Sequence, residues 1–378
     1  MSSDTFNRIR TNLTFRPAII APIAIMIIFS IFNMTAPLDA GRVAQSITLG
    51  VVNLDTGVPG APIRASDGII DGMRKNLPFS VTAIDDEAAA SVALERGDIA
   101  AAIIVPADFS KLAIGGGDIT VKVLNTEHLS LAETQVGAGL GGQIQAAFSA
   151  AVSGARLAFA QGSFPTGALP VAVDVETLHS ARNANTLIAP FVMAFATWIA
   201  SFISGLMLFI ATRGERGAGA AIPVAMLRTI LPIAVAGVAT LALAFIVAGT
   251  TALWGEFLGL WLMAWLATAA IMLVVGGLFS LLEFPAILLA LPVVFYQTAV
   301  SGAQAPPEAA LTWIGWLGDV LPLHDLVVGY RTLLIGGPEG ALPIATAFLA
   351  LVLGVVLVWV GTLLHVRLRP NRPAAAQV

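Results

Sequence analysis

Polar side chains able to do chemistry are sparse in this chain and fall into small sets. Asn53, Asp55 and Asp67 carry oxygens of the kind that hold calcium. The EF-hand spacing and its terminal Glu are absent, however, and Asn53–Gly57 reads as a turn. His128, His179, His324 and His365 stand singly, with no pair at metal-ligand spacing, so neither a metal nor another cofactor is expected. Arg213, Glu215, Arg216 and Glu283 occupy short polar breaks between apolar runs. Such residues either anchor a membrane protein by positive charge or contact a partner protein. Tyr296 and Gln297, near the end of one apolar run, are candidates for a substrate path or outer gate, with helix packing as the plain alternative. Asp325 and Arg331 join them, and Arg331 is expected to pair with Asp325 or with lipid phosphate. No nucleophile–base set is recognisable and no G-x-x-x-x-G-K-[ST] loop occurs. The chain is therefore not read as an enzyme, and nucleotide-driven work would need a separate chain.

These residues must be positioned by six apolar runs, at 18–36, 186–212, 229–253, 257–282, 285–302 and 341–364, none with Asp, Glu, Lys or Arg in its interior. About 20 helical residues cross a hydrocarbon core of ~30 Å. With 57% hydrophobic and 11% charged residues, the expected fold is a polytopic α-helical membrane protein of six transmembrane helices. Intramembrane charges usually mark ion paths, so their absence argues against a proton- or sodium-coupled carrier. Absence of cysteine excludes disulfides, thiolate catalysis and iron–sulfur clusters.

In the short segments, Arg8, Arg10, Arg16, Arg213, Arg216, Arg228, Arg367, Arg369 and Arg372 flank one side of the runs, and only Arg331 (in 254–256 and 303–340) the other; the long segment 37–185 is set apart, since long segments cross regardless of charge. The positive-inside rule then places both termini in the cytoplasm of a multi-pass plasma-membrane protein. The first run exceeds the 7–15 residues of a signal h-region, and Pro37 spoils a cleavage site, so it reads as an uncleaved helix. The resulting division is a cytoplasmic arm 1–16, helix one at 17–36, an extracytoplasmic domain 37–185, helices two to six over 186–366 (the last at 341–366), and a tail 367–378.

Residues 37–185 read as an α/β domain inserted between helices one and two, with strands at 46–53, 79–84, 99–105, 119–124 and 170–178. Helices are expected at 63–76 and 85–96, and one or two more between 129 and 160. Its fifteen Asp/Glu against nine Lys/Arg give no basic surface for nucleic acid. Residues 303–340 are too broken for a seventh span; with Trp313 and Trp316 they suit two short helices dipping into or lying on the outer leaflet.

Several segments together resemble a known family: VVNLDTG (51–57), GDIAAAIIVPADFSKL (97–112), APFVMAFATWIASFISGLML (189–208), SGAQAPPE (301–308) and LPLHDLVVGYRTLLIGG (321–337). Their order is similar to that of the YhgE/Pip (phage-infection-protein-like) family, within the type-2 permease superfamily of ABC transporters. The resemblance implies export, with the ATPase on another polypeptide. The domain here is shorter than in larger relatives, and Leu54 stands where the family often has an acidic residue. The expected function is the membrane permease subunit of an exporter for a hydrophobic or amphipathic substrate. It would work as a homo- or heterodimer in the bilayer, with a cytoplasmic ATPase acting on the 1–16 arm and the 213–222 loop. The alternative is a membrane-anchored extracytoplasmic module for envelope assembly, secretion or surface recognition.

Overall fold

Strand-forming residues between 48 and 177 build one mixed sheet with helices on both faces. In the computed structural model, residues 39–58, 64–159, 170–215, 218–310, 322–337 and 343–367 are described. The arm 1–16, the run 18–36, Arg216, Trp313, Trp316 and the tail from 368 lie outside them.

Short helix α1 (Ala40–Ser46) leads into β1 (Thr48–Asn53), followed by α2 (Ala65–Asn76), β2 (Ser80–Ala83), α3 (Glu87–Arg96) and β3 (Ala101–Val105). Then come α4 (Phe109–Gly115), β4 (Ile119–Asn125), the long α5 (Leu131–Phe159) and β5 (Val171–Thr177). The sheet order is β2-β1-β3-β4-β5; β3 and β4 pair antiparallel and every other pair is parallel. The unbroken apolar run of β3 is buried at every position, as a central strand covered on both faces must be. On one face Leu49, Val51, Ile103 and Val121 pack under Ile70, Phe109 and Phe148 of α2, α4 and α5. On the other, Val52, Ile104 and Leu124 meet Ala90 and Leu94 of α3. Asp86 caps α3 through Ala89 N–H, and Gly97 ends it at φ +78°. Helices α1 and α4 are additions to the sequence expectation; at seven residues each they show too little periodicity to be read.

The remainder is helical: α6 (Ala184–Thr212), α7 (Ala218–Thr251), a 3₁₀ turn at Trp254–Glu256, α8 (Phe257–Leu282) and α9 (Ala286–Val300). After a 3₁₀ turn at Pro307–Ala309 follow α10 (Leu323–Leu334) and α11 (Ile344–Thr362), which closes in a π-helical turn at Leu363–Arg367. Four segments are long and apolar enough to cross a membrane, Ala184–Thr212, Gly219–Thr251, Trp254–Leu282 and Ile344–His365. The chain is thus a polytopic helical membrane protein. The run at 285–302 forms a helix of 15 residues, about 22 Å long at 1.5 Å per residue, short of the usual span.

One expectation needs correction. The run that was to begin at 229 starts at Ala218, which puts Arg228 inside the helix rather than on its flank. Helix α10 packs into the bundle: Leu326, Val327 and Tyr330 belong to the same buried cluster as Met193, Trp198 and Leu260 of α6 and α8. Glycines set the closest helix approach. A Cβ at Gly354 would lie 2.6 Å from Leu273 Cβ, and one at Gly361 would lie 2.5 Å from the Ser280 carbonyl carbon, so α8 and α11 meet backbone to backbone. Trp261 and Trp265 stack on each other and donate to the carbonyls of Gly237 and Ile233, fastening α8 to α7.

Candidate functional site

Polar chemistry gathers at the two ends of the bundle. At the end remote from the sheet, Arg228 is 5% exposed. Its Nε donates to Thr212 Oγ1 at 2.8 Å, and its Nη1 to Ser280 Oγ at 3.1 Å and Thr362 Oγ1 at 3.3 Å. The guanidinium also lies 5.7 Å from the centre of the Phe209 ring. One cation thereby joins α6, α7, α8 and α11. It has no carboxylate within ion-pair distance among the described residues.

Beside it, the α8–α9 hairpin turns through Glu283 at φ +58°, a backbone conformation strained for a side chain with a Cβ. Its carboxylate lies 3.7 Å from Nδ1 of His365, which sits in the π-helical turn and whose Nε2 reaches the Leu281 carbonyl at 2.8 Å. π-turns of this kind often mark functional positions. Arg213, at the end of α6, covers the Phe284 ring at 5.2 Å. Glu215 is exposed in the same break, where its N–H donates to the Thr212 carbonyl. Of the four partner-contact candidates, Arg213, Glu215 and Glu283 share this end; Arg216 lies outside the described residues.

The opposite end is where sheet and bundle meet. The first-turn amides of Leu131 and Ala132 donate to the carbonyls of Ala303 and Gln304, at 3.1 and 3.0 Å. Arg42 of α1 donates to the carbonyls of Ala309 and Ala310. Between the layers opens a cleft of about 210 Å³ lined by Glu95, Arg96, His128, Glu133, Glu308, His324 and Arg331. Arg331 is 7% exposed, and its Nη2 donates to the carbonyls of Gly302 and Ala303 at 2.8 and 3.0 Å. No ion pair with Asp325 forms among the described residues. The two are six residues apart on α10, about 600° of helical rotation, which puts them on different faces. Asp325 instead borders a small apolar crevice with Pro343 and Ala347.

Glu133 closes a capping box on Ser130: Ser130 N–H donates to its Oε2 at 3.0 Å, and its own N–H donates to Ser130 Oγ at 3.3 Å. Burial raises the Glu133 pKa, against the pull of those hydrogen bonds and of Arg331. His128 lies edge-on to His179 at 5.3 Å and shares a 2.6 Å hydrogen bond with Thr126. Burial, then the neighbouring His179 and Arg331, push its pKa down to about 4.

Tyr296 and Gln297 are both buried near the end of α9 and line neither the cleft at Arg331 nor the crevice at Asp325. Both amide atoms of Gln297, which is 1% exposed, lack hydrogen-bond partners among the described residues. Asp55 is not a plain turn residue either. It is wholly inaccessible and accepts from Ser66 Oγ, Ser110 Oγ and the N–H groups of Gly57 and Ser110. Burial would raise its pKa, but those donors outweigh it and hold the carboxyl below its ordinary value. Sequence reading missed Arg228, His128 and Glu133 as site residues. Ser130-Leu-Ala-Glu133 was legible as a capping box; nothing in the sequence marks the convergence on Arg228.

No group of His, Cys, Asp and Glu able to hold a metal ion occurs among the described residues. A family model described as ABC-2 family transporter protein matches residues 18–364. No curated protein and no solved structure matches.

Proposed function

The chain belongs to the ABC-2 family of transporter proteins, and from that premise we propose that it is the permease subunit of an exporter driven by a separate ATPase. The observation that carries this reading is a match over 18–364 in a chain without a phosphate-cradling motif. The permease itself does no catalysis. Its six spans comprise 18–36, the four long helices and the shorter α9, with both termini in the cytoplasm and the α/β domain outside the cell. The segments at 51–57, 97–112, 189–208, 301–308 and 321–337 support a place near the YhgE/Pip branch.

The ATPase docks at the bundle end that carries Arg213, Glu215 and Glu283, together with the 1–16 arm. A push on the strained Glu283 hairpin reaches His365 and α11 directly, and Arg228 ties α6, α7, α8 and α11 into one responding unit. Apolar, lipid-facing helix surfaces suit a hydrophobic or amphipathic substrate, handled by a dimer of this chain with itself or a similar one.

Gentle solubilisation from the native host, affinity capture and mass spectrometry test the proposal. A nucleotide-binding chain is expected to co-purify and to be lost on the charge reversals Arg213→Glu and Glu283→Arg. A permease that never retains an ATPase would leave the membrane-anchored module as the better reading.

A further inference from the structure

The junction cleft holds two opposite charges that do not meet. Arg331 comes to it from the bundle and Glu133 from α5 of the sheet domain, and both line the same space of about 210 Å³. Arg331 uses only Nη2 in its bonds to Gly302 and Ala303, so Nε and Nη1 have no hydrogen-bond acceptor among the described residues. Glu133 accepts from Ser130 N–H through Oε2, and the hydrogen bonds of its carboxylate among the described residues are all to Ser130. No ion pair joins the two side chains, although each lies within the other's field. Arg331 is buried and Glu133 half-buried, and charges partly withdrawn from water without an opposite charge in contact are costly, with direct pairing the usual remedy. Here the remedy is withheld by geometry: carbonyls hold one group and a capping box the other.

We propose that this cleft binds a small zwitterion, its anionic group on Arg331 and its ammonium on Glu133, with Glu308 on the ammonium side. A molecule carrying both charges on a short linker neutralises both walls at once, which an anion or a cation alone does not. The volume is below that of drug-sized pockets and suits a headgroup-sized molecule. The shared chemistry is a phosphate or carboxylate joined to a primary amine, supplied by the headgroup of an aminophospholipid or by a free water-soluble zwitterion. Because the ligand would touch α5 and α10 together, its occupancy would fasten the α/β domain to the bundle.

The test uses the full-length protein in detergent and needs no ATPase, so its outcome is separate from that of the permease assignment. Calorimetric titration compares free O-phosphoethanolamine with inorganic phosphate and with ethanolamine. The zwitterion is expected to bind, and each half to bind at least about tenfold more weakly, as loss of a charge-assisted contact implies. Glu133→Gln is expected to weaken O-phosphoethanolamine by a similar factor while leaving thermal stability in place, because Gln can complete the same capping box. In nanodiscs, native mass spectrometry then compares phosphatidylethanolamine with phosphatidylglycerol. Retention of the former alone assigns the site to a lipid headgroup, and binding of the free compound without lipid preference assigns it to a soluble one. Phosphate binding as tightly as the zwitterion, an unchanged Glu133→Gln protein, or no binding of either probe overturns the proposal.

Discussion

Arg228 shows how one residue can serve as a structural hub through hydroxyl acceptors, with no ion pair among the described residues. Its guanidinium fork spreads donors in a plane, so hydroxyls on three helices can each accept one. Removing an acceptor leaves a buried donor unsatisfied, at a net cost of about 1–3 kcal/mol. Thr362→Val is therefore expected to lower the thermal midpoint in detergent, whereas Arg228→Lys should fail to restore what Arg228→Ala loses, since an ammonium lacks the fork. Identical melting of Thr362→Val and the parent would refute the hub. Asp55 makes a second prediction at this scale. Its folded pKa lies below the ordinary 3.8, so its contribution is complete above that pH and fades as the pH falls toward the folded value. Asp55→Asn should be less stable at neutral pH, and its stability should vary less between pH values of about 5 and 3. For His128 the pKa is likewise depressed, from 6.5 to about 4. The unfolded chain takes up the proton first, so stability should drop as the pH falls through that window, beside His179, Arg331 and Glu95. His128→Gln should flatten the decline in a pH-melting series.

The seam between α8 and α11 is governed by missing side chains rather than by matched ones. Gly354 and Gly361 sit a heptad apart, on one stripe of α11, and each faces the backbone of α8. Adding a methyl at Gly361 would meet main-chain atoms at 2.5–2.7 Å, which cannot rotate away as a side chain can. Gly361→Ala should then cost on the order of 1–3 kcal/mol, as overpacking does. Gly276, whose Cβ would meet nothing within 4 Å, provides the control. If both alanine variants melt alike, close approach is not what holds the pair. The hairpin after α8 belongs to the same scale: Glu283→Gly should relieve the positive φ and weaken the contact with His365 in one change. A permease activity lower than the parent's despite unchanged stability would mark that hairpin as a transmission point.

At the scale of the whole molecule, the sheet domain and the helical bundle are joined by backbone carbonyls of the 303–310 segment, which accept from α1 and α5. Such a joint is specific in register and uses few side chains. Since the chain has no cysteine, single-cysteine labelling can test the topology cleanly. Asp85→Cys, exposed in the sheet domain, and Gly214→Cys, exposed in the α6–α7 break, should react with a membrane-impermeant maleimide from opposite faces. Labelling of both from the same face would overturn the proposed orientation.

Long apolar runs and a continuous apolar strand determined much of this protein by themselves, because hydrophobic length and periodicity act locally. The helices at 184–212 and 257–282, strand β3 and the stop at Gly97 all follow from neighbouring residues. Only the tertiary structure decided that Arg228 belongs inside a helix, for its acceptors lie on three other helices far along the chain. It also decided that Asp55 is a buried pin and that Arg331 lines a cleft with Glu133, with no ion pair to Asp325 among the described residues. Burial and pairing depend on which distant segments converge, and spacing along one segment carries no record of that.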